Sequence, residues 1–346
     1  MSTKFTRREY LWTLGAVAMA SRFPTLIAAS SPEGKALRGP FIILNTPFTA
    51  TGDVDWDDLI REVQFVDHAG CTGIVWPQGS SSVNQLTKDE RMHGMEFLAK
   101  AVQGKRIALV LGVQGKDVNE MREFAAKADA LAPDAVIAMP PSTGTSMDDY
   151  RAYFQTLAGA TKRPVFVQTS GGARDLPPTT DLIIELAKQF PHFGYVKEES
   201  QPLIPRLNAE LKARPAMKGI FSAAFAEGFL YELRLGVDGV ITGSGMYGDV
   251  LARIWEAYQK NRIDEARDAY SKFLLMRNLE EQLPGTGLFI MKKRGIFKTT
   301  VRRTTAPSGG APAKLNEFKP SDIELAEIEF RFAALKPYLI PWQGTA

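Results

Sequence analysis

Short apolar runs alternate with amphipathic stretches along this chain from Gly39 onward. The runs are rich in valine and isoleucine and are bounded by turn residues, which is the pattern of buried parallel strands. The stretches between them have helical periodicity, as at 56–69, 117–131, 148–161 and 223–235. The eight predicted strands are 41–44, 73–76, 107–111, 135–139, 165–168, 194–197, 217–221 and 239–242.

Strands that alternate with helices form a parallel sheet, and eight such units in about 200 residues are most economically closed into a barrel. We therefore predict an α/β fold, a (β/α)8 TIM barrel over 39–262. An open doubly wound sheet is the alternative, but it usually carries a glycine-rich turn where this chain has Asn45-Thr46-Pro47-Phe48. Three further helical segments and a loop at 306–312 predict a C-terminal helical extension, 263–346, packed on the barrel.

The first 30 residues have the pattern of a targeting segment. Arg7 and Arg8 precede Tyr10, Leu11 and a short apolar stretch, 11–20, an arrangement similar to a twin-arginine secretion signal. A disordered or membrane-anchoring N-terminus is the alternative, although the stretch is too short to span a bilayer. We expect 1–30 to be a signal peptide and the mature protein to be exported, to the periplasm or the cell exterior.

Composition narrows the classes of partner. The chain has 346 residues, 45% hydrophobic and 23% charged. Without the four basic and one acidic residues of 1–30, its 42 basic and 39 acidic residues become 38 of each. A near-neutral body argues against nucleic acid or an anionic membrane as partner. One cysteine and three scattered histidines form no metal-ligand pattern, so we predict neither a metal site nor a cofactor.

The residues that close the apolar runs are the first place to look for chemistry, because barrel active sites lie at the C-terminal ends of the strands. Among them, only Lys197 is a strong nucleophile. A lysine in a barrel mouth loses solvation, which favours the free amine that attacks a carbonyl carbon. The alternative is an ion pair at the strand end with the adjacent Glu198 or Glu199.

Several segments together resemble the dihydrodipicolinate synthase and N-acetylneuraminate lyase family of class I lyases. The resemblance runs from about residue 39 to about residue 303. Residues 39–56 resemble the family's opening strand and first helix start, Phe193 to Ser200 its Schiff-base strand, and 235–242 its eighth strand. The resemblance implies a homo-oligomer, a tetramer or a dimer.

The resemblance also implies roles for individual residues. Lys197 would form a Schiff base with the ketone of a 2-oxo acid such as pyruvate. The turn Gly79-Ser80-Ser81 is similar to the family's glycine and paired-hydroxyl motif, which holds the substrate carboxylate. An ordinary polar turn is the alternative for these serines. The predicted substrate-binding residues are Thr46, Gly79, Ser80, Ser81, Arg174 and Thr242.

Three departures from the family pattern concern proton transfer and the substrate turn. The fifth strand ends in Gln168 where the family has a relay tyrosine, and an amide cannot act as an acid or base. Pro141-Ser142 replaces an aromatic pair after the fourth strand, and the glutamate usual in the second turn is missing.

Tyr195 is a candidate for the missing proton carrier. It lies two residues before Lys197 and shares its face of the strand, so its phenol could approach the lysine. The alternative is that Tyr195 only fills the barrel core. Lys197, Tyr195 and Gln168 are the predicted catalytic set. The resemblance also implies that Arg174, just after strand five, binds a second anionic group of the substrate, and a surface arginine is the alternative.

The resulting hypothesis is an exported Schiff-base lyase, an aldolase or a dehydratase, that acts on pyruvate or a sugar-derived keto acid. The alternative from another class is a barrel without turnover that binds a carbonyl compound or a sugar acid outside the cytoplasm. Its support is the loss of the relay groups at Gln168 and Pro141. A metal-dependent aldolase is the least favoured, because it needs histidine and carboxylate ligands at strand ends.

Overall fold

The computed structural model describes residues 35–173 and 176–343. Eight parallel strands pair in sequence order, and β1 pairs with β8 to close the barrel. The predicted TIM barrel is thus confirmed, and the open sheet is excluded. The strands are β1 (Gly39–Ile43), β2 (Gly73–Trp76), β3 (Ala108–Gly112), β4 (Ala135–Ala138), β5 (Val165–Gln168), β6 (Tyr195–Glu198), β7 (Gly219–Ser222) and β8 (Gly239–Thr242).

The side chains of each strand alternate between two cores. One alternating set fills the barrel interior and includes Phe41, Phe166 and Phe221, whose rings pack edge to face or tilted at 5.2–6.4 Å between centroids. The other set packs against the surrounding helices in a larger core. Because the period of a strand is two residues, the interior set also decides which residues face the barrel mouth.

Helices follow the strands and cover the barrel. Their starts are encoded locally, as at Thr87, whose hydroxyl accepts the Glu90 N–H while the Glu90 carboxylate accepts the Thr87 N–H. The barrel helices are α1 (Trp56–His68), α2 (Lys88–Ala101), α3 (Val118–Leu131), α4 (Met147–Ala160), α5 (Thr180–Gln189), α6 (Leu203–Lys212), α7 (Phe229–Leu235) and α8 (Gly248–Gln259).

The helix predicted over 223–235 is wrong in its first half. Ala224, Phe225 and Ala226 have φ between 44° and 66°, so the chain makes a left-handed turn after β7 and α7 begins only at Phe229. The buried Ala226 and Phe229 continue the same apolar pattern across both pieces. The apolar pattern is therefore the same as that of one continuous helix, although the backbone turns where it leaves β7.

The C-terminal region has the three predicted helices, α9 (Ile263–Gln282), α10 (Thr286–Lys293) and α11 (Asp322–Ala333). It also has a hairpin that the sequence did not reveal, in which β9 (Val301–Arg303) pairs antiparallel with β10 (Leu315–Glu317). Its strands have three residues each, too few for a pattern. The predicted loop 306–312 lies between these strands, and the chain from Lys35 onward forms one compact unit.

The predicted signal segment, 1–30, lies outside the described residues. Among the residues that are described, none belongs to a helix long and apolar enough to cross a membrane.

Candidate active site

Lys197 lies near the end of β6 with its side chain in the barrel interior. It is 3% exposed, and its register partners are Gln168 on β5 and Phe221 on β7. The Lys197 Nζ donates to Glu199 Oε1 at 2.8 Å. The predicted nucleophile is therefore buried at the mouth and paired with one carboxylate.

A chain of hydrogen bonds links Glu199 to β5. The Ser170 hydroxyl donates to the same Glu199 Oε1 that Lys197 contacts. Gln168 Nε2 donates to Ser170 Oγ at 2.9 Å, and Gln168 Oε1 is a buried oxygen without a hydrogen-bond partner within the described structure. We call Gln168, Ser170, Lys197 and Glu199 the β5–β6 side of the mouth.

Glu198 points away from this mouth and anchors the end of β6 from behind. Its Oε1 accepts the Thr169 hydroxyl and the Ser200 backbone N–H, each at 2.7 Å. Its Oε2 lies 2.9 Å from Arg206 Nε, an ion pair without hydrogen-bond alignment. The Thr169 Oγ1 also accepts the Glu199 N–H at 3.0 Å, so this buried network fixes the backbone that carries Glu199.

Glu210 on α6 belongs to the same buried cluster. Burial, and then the neighbouring Glu198 carboxylate, raise the pKa of Glu210 to about 10. This shift favours the protonated form of Glu210 beside the ion pair of Glu198 and Arg206.

The opposite side of the mouth is built from hydroxyls at the ends of β1 and β2. The Thr46 hydroxyl donates to the Ser81 carbonyl at 2.6 Å and accepts the Trp76 indole N–H at 3.0 Å. The Ser81 hydroxyl donates to the Leu44 carbonyl at 2.6 Å. Each hydroxyl proton is thus committed to a backbone oxygen. The binding of a carboxylate by Thr46 and Ser81 stays a prediction. It requires these hydroxyls to rotate so that their protons leave the backbone oxygens and point to the substrate.

Ser80 has a different environment from Ser81. It is partly exposed, and a Cβ placed on Gly243 would lie 2.2 Å from its Oγ, so only glycine after β8 admits this approach. Gly79 beside it is exposed, whereas Thr242 is buried and its hydroxyl lies 3.2 Å from that of Ser244. We call Thr46, Trp76, Ser80 and Ser81 the β1–β2 side of the mouth.

Tyr195 faces the barrel interior, as its spacing from Lys197 predicts. Its ring packs 5.2 Å from that of Phe166, and a Cβ on Gly219 would collide with it. Burial raises the pKa of Tyr195, and the charge of Asp238, at the N-terminal end of β8, raises it further. These contacts lie below the Lys197 layer, and a proton-carrying role for Tyr195 stays a prediction.

A cavity of about 230 Å³ adjoins the β5–β6 side. Its floor is held by α4, because the Ala173 N–H donates to the Tyr150 hydroxyl at 2.8 Å and any side chain on Gly172 would collide with that hydroxyl. Arg174, predicted to bind a second anionic group, lies outside the described residues. The lining residues are Thr169, Ser170, Gly171, Gly172, Ala173, Leu176, Pro177, Ser200 and Gln201.

Sequence reasoning treated Glu199 only as a partner of an inert lysine, and it missed Ser170. The available signal was the period of two along β6, which puts Tyr195, Lys197 and Glu199 on one face and Glu198 on the other. The described residues contain no group of three or more histidine, cysteine, aspartate or glutamate side chains that could hold a metal ion.

Comparison with known proteins gives concordant results. A relative from Azospirillum brasilense, an L-2-keto-3-deoxyarabonate dehydratase, is 25% identical over 280 residues, which cover 78% of this chain and 89% of the relative. A 4-hydroxy-tetrahydrodipicolinate synthase from Chlorobium phaeobacteroides is also 25% identical, with 78% and 92% covered.

Solved structures agree in fold. The 4-hydroxy-tetrahydrodipicolinate synthase of Methylacidiphilum fumariolicum SolV superposes with a TM-score of 0.74 at 17% identity, covering 88% of this chain and 97% of that chain. The E. coli K12 protein YagE, solved in complex with pyruvate, gives a TM-score of 0.72 at 19% identity, with 87% and 99% covered. The model of the dihydrodipicolinate synthetase family matches residues 36–306. The chain is therefore an enzyme that belongs to the dihydrodipicolinate synthetase family of class I, Schiff-base lyases.

Proposed function

We propose that this protein is a lyase, an aldolase or a dehydratase, in which Lys197 forms a Schiff base with a 2-oxo acid. The observation that carries the proposal is the burial of Lys197 at the C-terminal end of a barrel strand, with its Nζ 2.8 Å from a carboxylate. An amine held there attacks the ketone carbon, water leaves, and the resulting iminium withdraws electrons from the neighbouring carbon.

The substrate carboxylate lies against the β1–β2 side in this proposal. Ser80 is the best candidate for this contact, because its side chain is partly exposed and it lies in the turn that follows β2. Thr46 and Ser81 shape the turn that presents Ser80, through the bonds that join Thr46 to Ser81 and Ser81 to Leu44. A carboxylate at this side leaves the ketone directed toward Lys197 across the barrel.

For the substrate we propose a sugar-derived 2-oxo acid. The dehydratase from Azospirillum brasilense is named for such a compound, although 25% identity does not carry its substrate to this chain. Support in this chain comes from the cavity beside Ser170, whose wall includes Ser200 and Gln201 and offers partners for the hydroxyls of a polyol tail.

Borohydride trapping tests this function. Purified protein is incubated with pyruvate and a panel of sugar-derived 2-oxo acids, reduced, and examined by intact mass and peptide mapping, with Lys197→Ala as the control. We expect a stable adduct on Lys197 that the variant does not form. If no 2-oxo acid gives an adduct, Schiff-base chemistry is refuted, and the protein is better described as a binding protein for a carbonyl compound or a sugar acid.

We also propose export through the twin-arginine route and a homo-oligomeric state. The support is Arg7-Arg8 before the apolar stretch and, for assembly, the family resemblance. A reporter fused to 1–30 should be exported, and replacement of both arginines by lysine should stop this. Light scattering of the mature protein should give a mass of two or four chains, and a single-chain mass would refute the oligomer.

A further inference from the structure

Schiff-base chemistry needs a group that moves protons at three places. The amine must lose a proton before it attacks, the departing water must gain one, and the carbon next to the iminium must lose one. Gln168, at the strand end in register with Lys197, cannot do this because an amide neither gives nor takes a proton at neutral pH. The Tyr195 ring packs in the layer below, against Phe166 and Gly219.

Glu199 has the position that this chemistry requires. It lies two residues after Lys197 on the same face of the chain, and its Oε1 accepts from Lys197 Nζ at 2.8 Å. Its side chain is 19% exposed, whereas that of Glu198 is fully buried, so only Glu199 opens to the mouth. Because successive side chains of an extended chain point to opposite sides, Glu199 lies at the mouth and Glu198 lies in the buried network behind it.

The Glu199 carboxylate is oriented by hydrogen bonds that reach one of its two oxygens. Lys197 and Ser170 both donate to Oε1, and Gln168 supports Ser170 at 2.9 Å. Among the described residues no hydrogen bond involves Oε2, and this oxygen is the one directed to the substrate in the proposal. The Glu199 N–H donates to Thr169 Oγ1, which ties the backbone to the buried Glu198 network. A backbone held rigidly and a carboxylate oxygen without a hydrogen bond to any described residue are what a general acid–base group needs.

We propose that Glu199 is the catalytic acid–base residue of this site. The inference rests on the proposed Schiff-base function and names the group that serves it. Glu199 takes a proton from the Lys197 ammonium, and the free amine adds to the ketone carbon to give a carbinolamine. The proton on Glu199 then goes to the carbinolamine hydroxyl, which leaves as water as the C=N bond forms.

The same carboxylate continues the reaction at the adjacent carbon. Glu199 removes a proton from the carbon next to the iminium, and the electron pair of that C–H bond forms the C=C bond of an enamine. In a substrate with a hydroxyl one carbon further on, the enamine expels it, and the proton held by Glu199 leaves with it as water. No oxidant, reductant or metal is required for this balance.

The test uses pyruvate, two variants and two readouts. Glu199→Gln keeps the shape of the side chain but cannot carry a proton, and Glu281→Gln makes the same change on an exposed position of α9. The first readout is borohydride trapping on Lys197. The second is proton NMR in D2O, which follows replacement of the pyruvate methyl protons by deuterium, with Lys197→Ala as the background.

We expect Glu199→Gln to form the pyruvate adduct on long incubation but to exchange methyl protons at least ~100-fold more slowly than the wild type, the scale of general-base catalysis. Glu281→Gln should match the wild type in both readouts. An exchange rate within about threefold of wild type in Glu199→Gln, with the adduct intact, would overturn the role of Glu199 and leave the proposed function standing. A wild type without any pyruvate adduct overturns both.

Discussion

The two sides of the barrel mouth are built from different kinds of interaction. The β5–β6 side has charged groups, Lys197 and Glu199 in front and Glu198 with Arg206 behind. The β1–β2 side has neutral hydroxyls whose protons bond to backbone oxygens. Close to this side, Glu62 on α1 accepts Asn45 N–H groups just after β1 at 3.1–3.2 Å, and burial raises the pKa of Glu62 to about 8.

In the proposed function, this difference separates two tasks within one barrel. In the proposed function, proton transfer and imine formation take place on the β5–β6 side, where buried charged groups fix the backbone. The same proposal assigns recognition of the substrate carboxylate to the β1–β2 side, whose hydroxyl groups are uncharged and place no second negative charge beside the substrate. Changes to the two sides should therefore have different consequences for stability, pH dependence and substrate binding.

Removal of Arg206, the partly buried cation behind the β5–β6 side, should have the largest effect on stability. Arg206→Met leaves the buried Glu198 without its counter-charge, and breaking a buried pair costs about 3–5 kcal/mol of unfolding free energy. Urea unfolding measures this. Arg253→Met, at a half-exposed ion pair with Glu265, should cost no more than about 1 kcal/mol. Equal losses in both variants would contradict the distinction.

The buried Glu62, close to the β1–β2 side, should make the stability of the protein depend on pH. Because the folded protein holds the Glu62 proton up to about pH 8 and the unfolded chain releases it near 4.5, wild-type stability should fall as pH rises between these values. Glu62→Gln should remove this loss. The gain of the variant over the wild type should grow by about 1.4 kcal/mol per pH unit, and a gain independent of pH would exclude the explanation.

The committed hydroxyls of the β1–β2 side should contribute to stability. Thr46→Val leaves the buried Trp76 indole N–H and the Ser81 carbonyl without this partner, which costs about 1–3 kcal/mol of unfolding free energy. Thermal and urea unfolding test it. Thr46→Ser, which keeps the hydroxyl, should recover most of the loss, and failure of this recovery would point to packing of the methyl group instead.

Ser80→Ala should have the smallest effect on stability and a selective effect on binding. Ser80 is partly exposed, so we expect a change below about 0.5 kcal/mol in unfolding free energy. The loss of a hydrogen bond to the substrate carboxylate should raise KM by roughly 10- to 100-fold with little change in kcat. An unchanged KM would remove Ser80 from the carboxylate site.

The strands and the lysine could be predicted because their signals are local. Each of β2, β5 and β8 has the predicted bounds, since a buried strand requires a short apolar run between turn residues. The turn at Ala224–Ala226 could not be predicted, because alanine has no preference for positive φ and only the path out of β7 requires it. The hairpin of β9 and β10 depends on Arg303, whose guanidinium contacts Glu90 on α2, 213 residues away in sequence.

The sequence by itself determined the eightfold alternation and the position of Lys197 at the end of the sixth strand, because burial periodicity and strand boundaries are written in neighbouring residues. Only the tertiary structure decided what Lys197 contacts. Glu198 and Glu199 are the same type of residue, so the sequence alone gives no difference between their side chains. Glu198 is buried against the Thr169 hydroxyl, just after β5, and Arg206 of α6, whereas Glu199 lies on the opposite side of the chain and contacts Lys197.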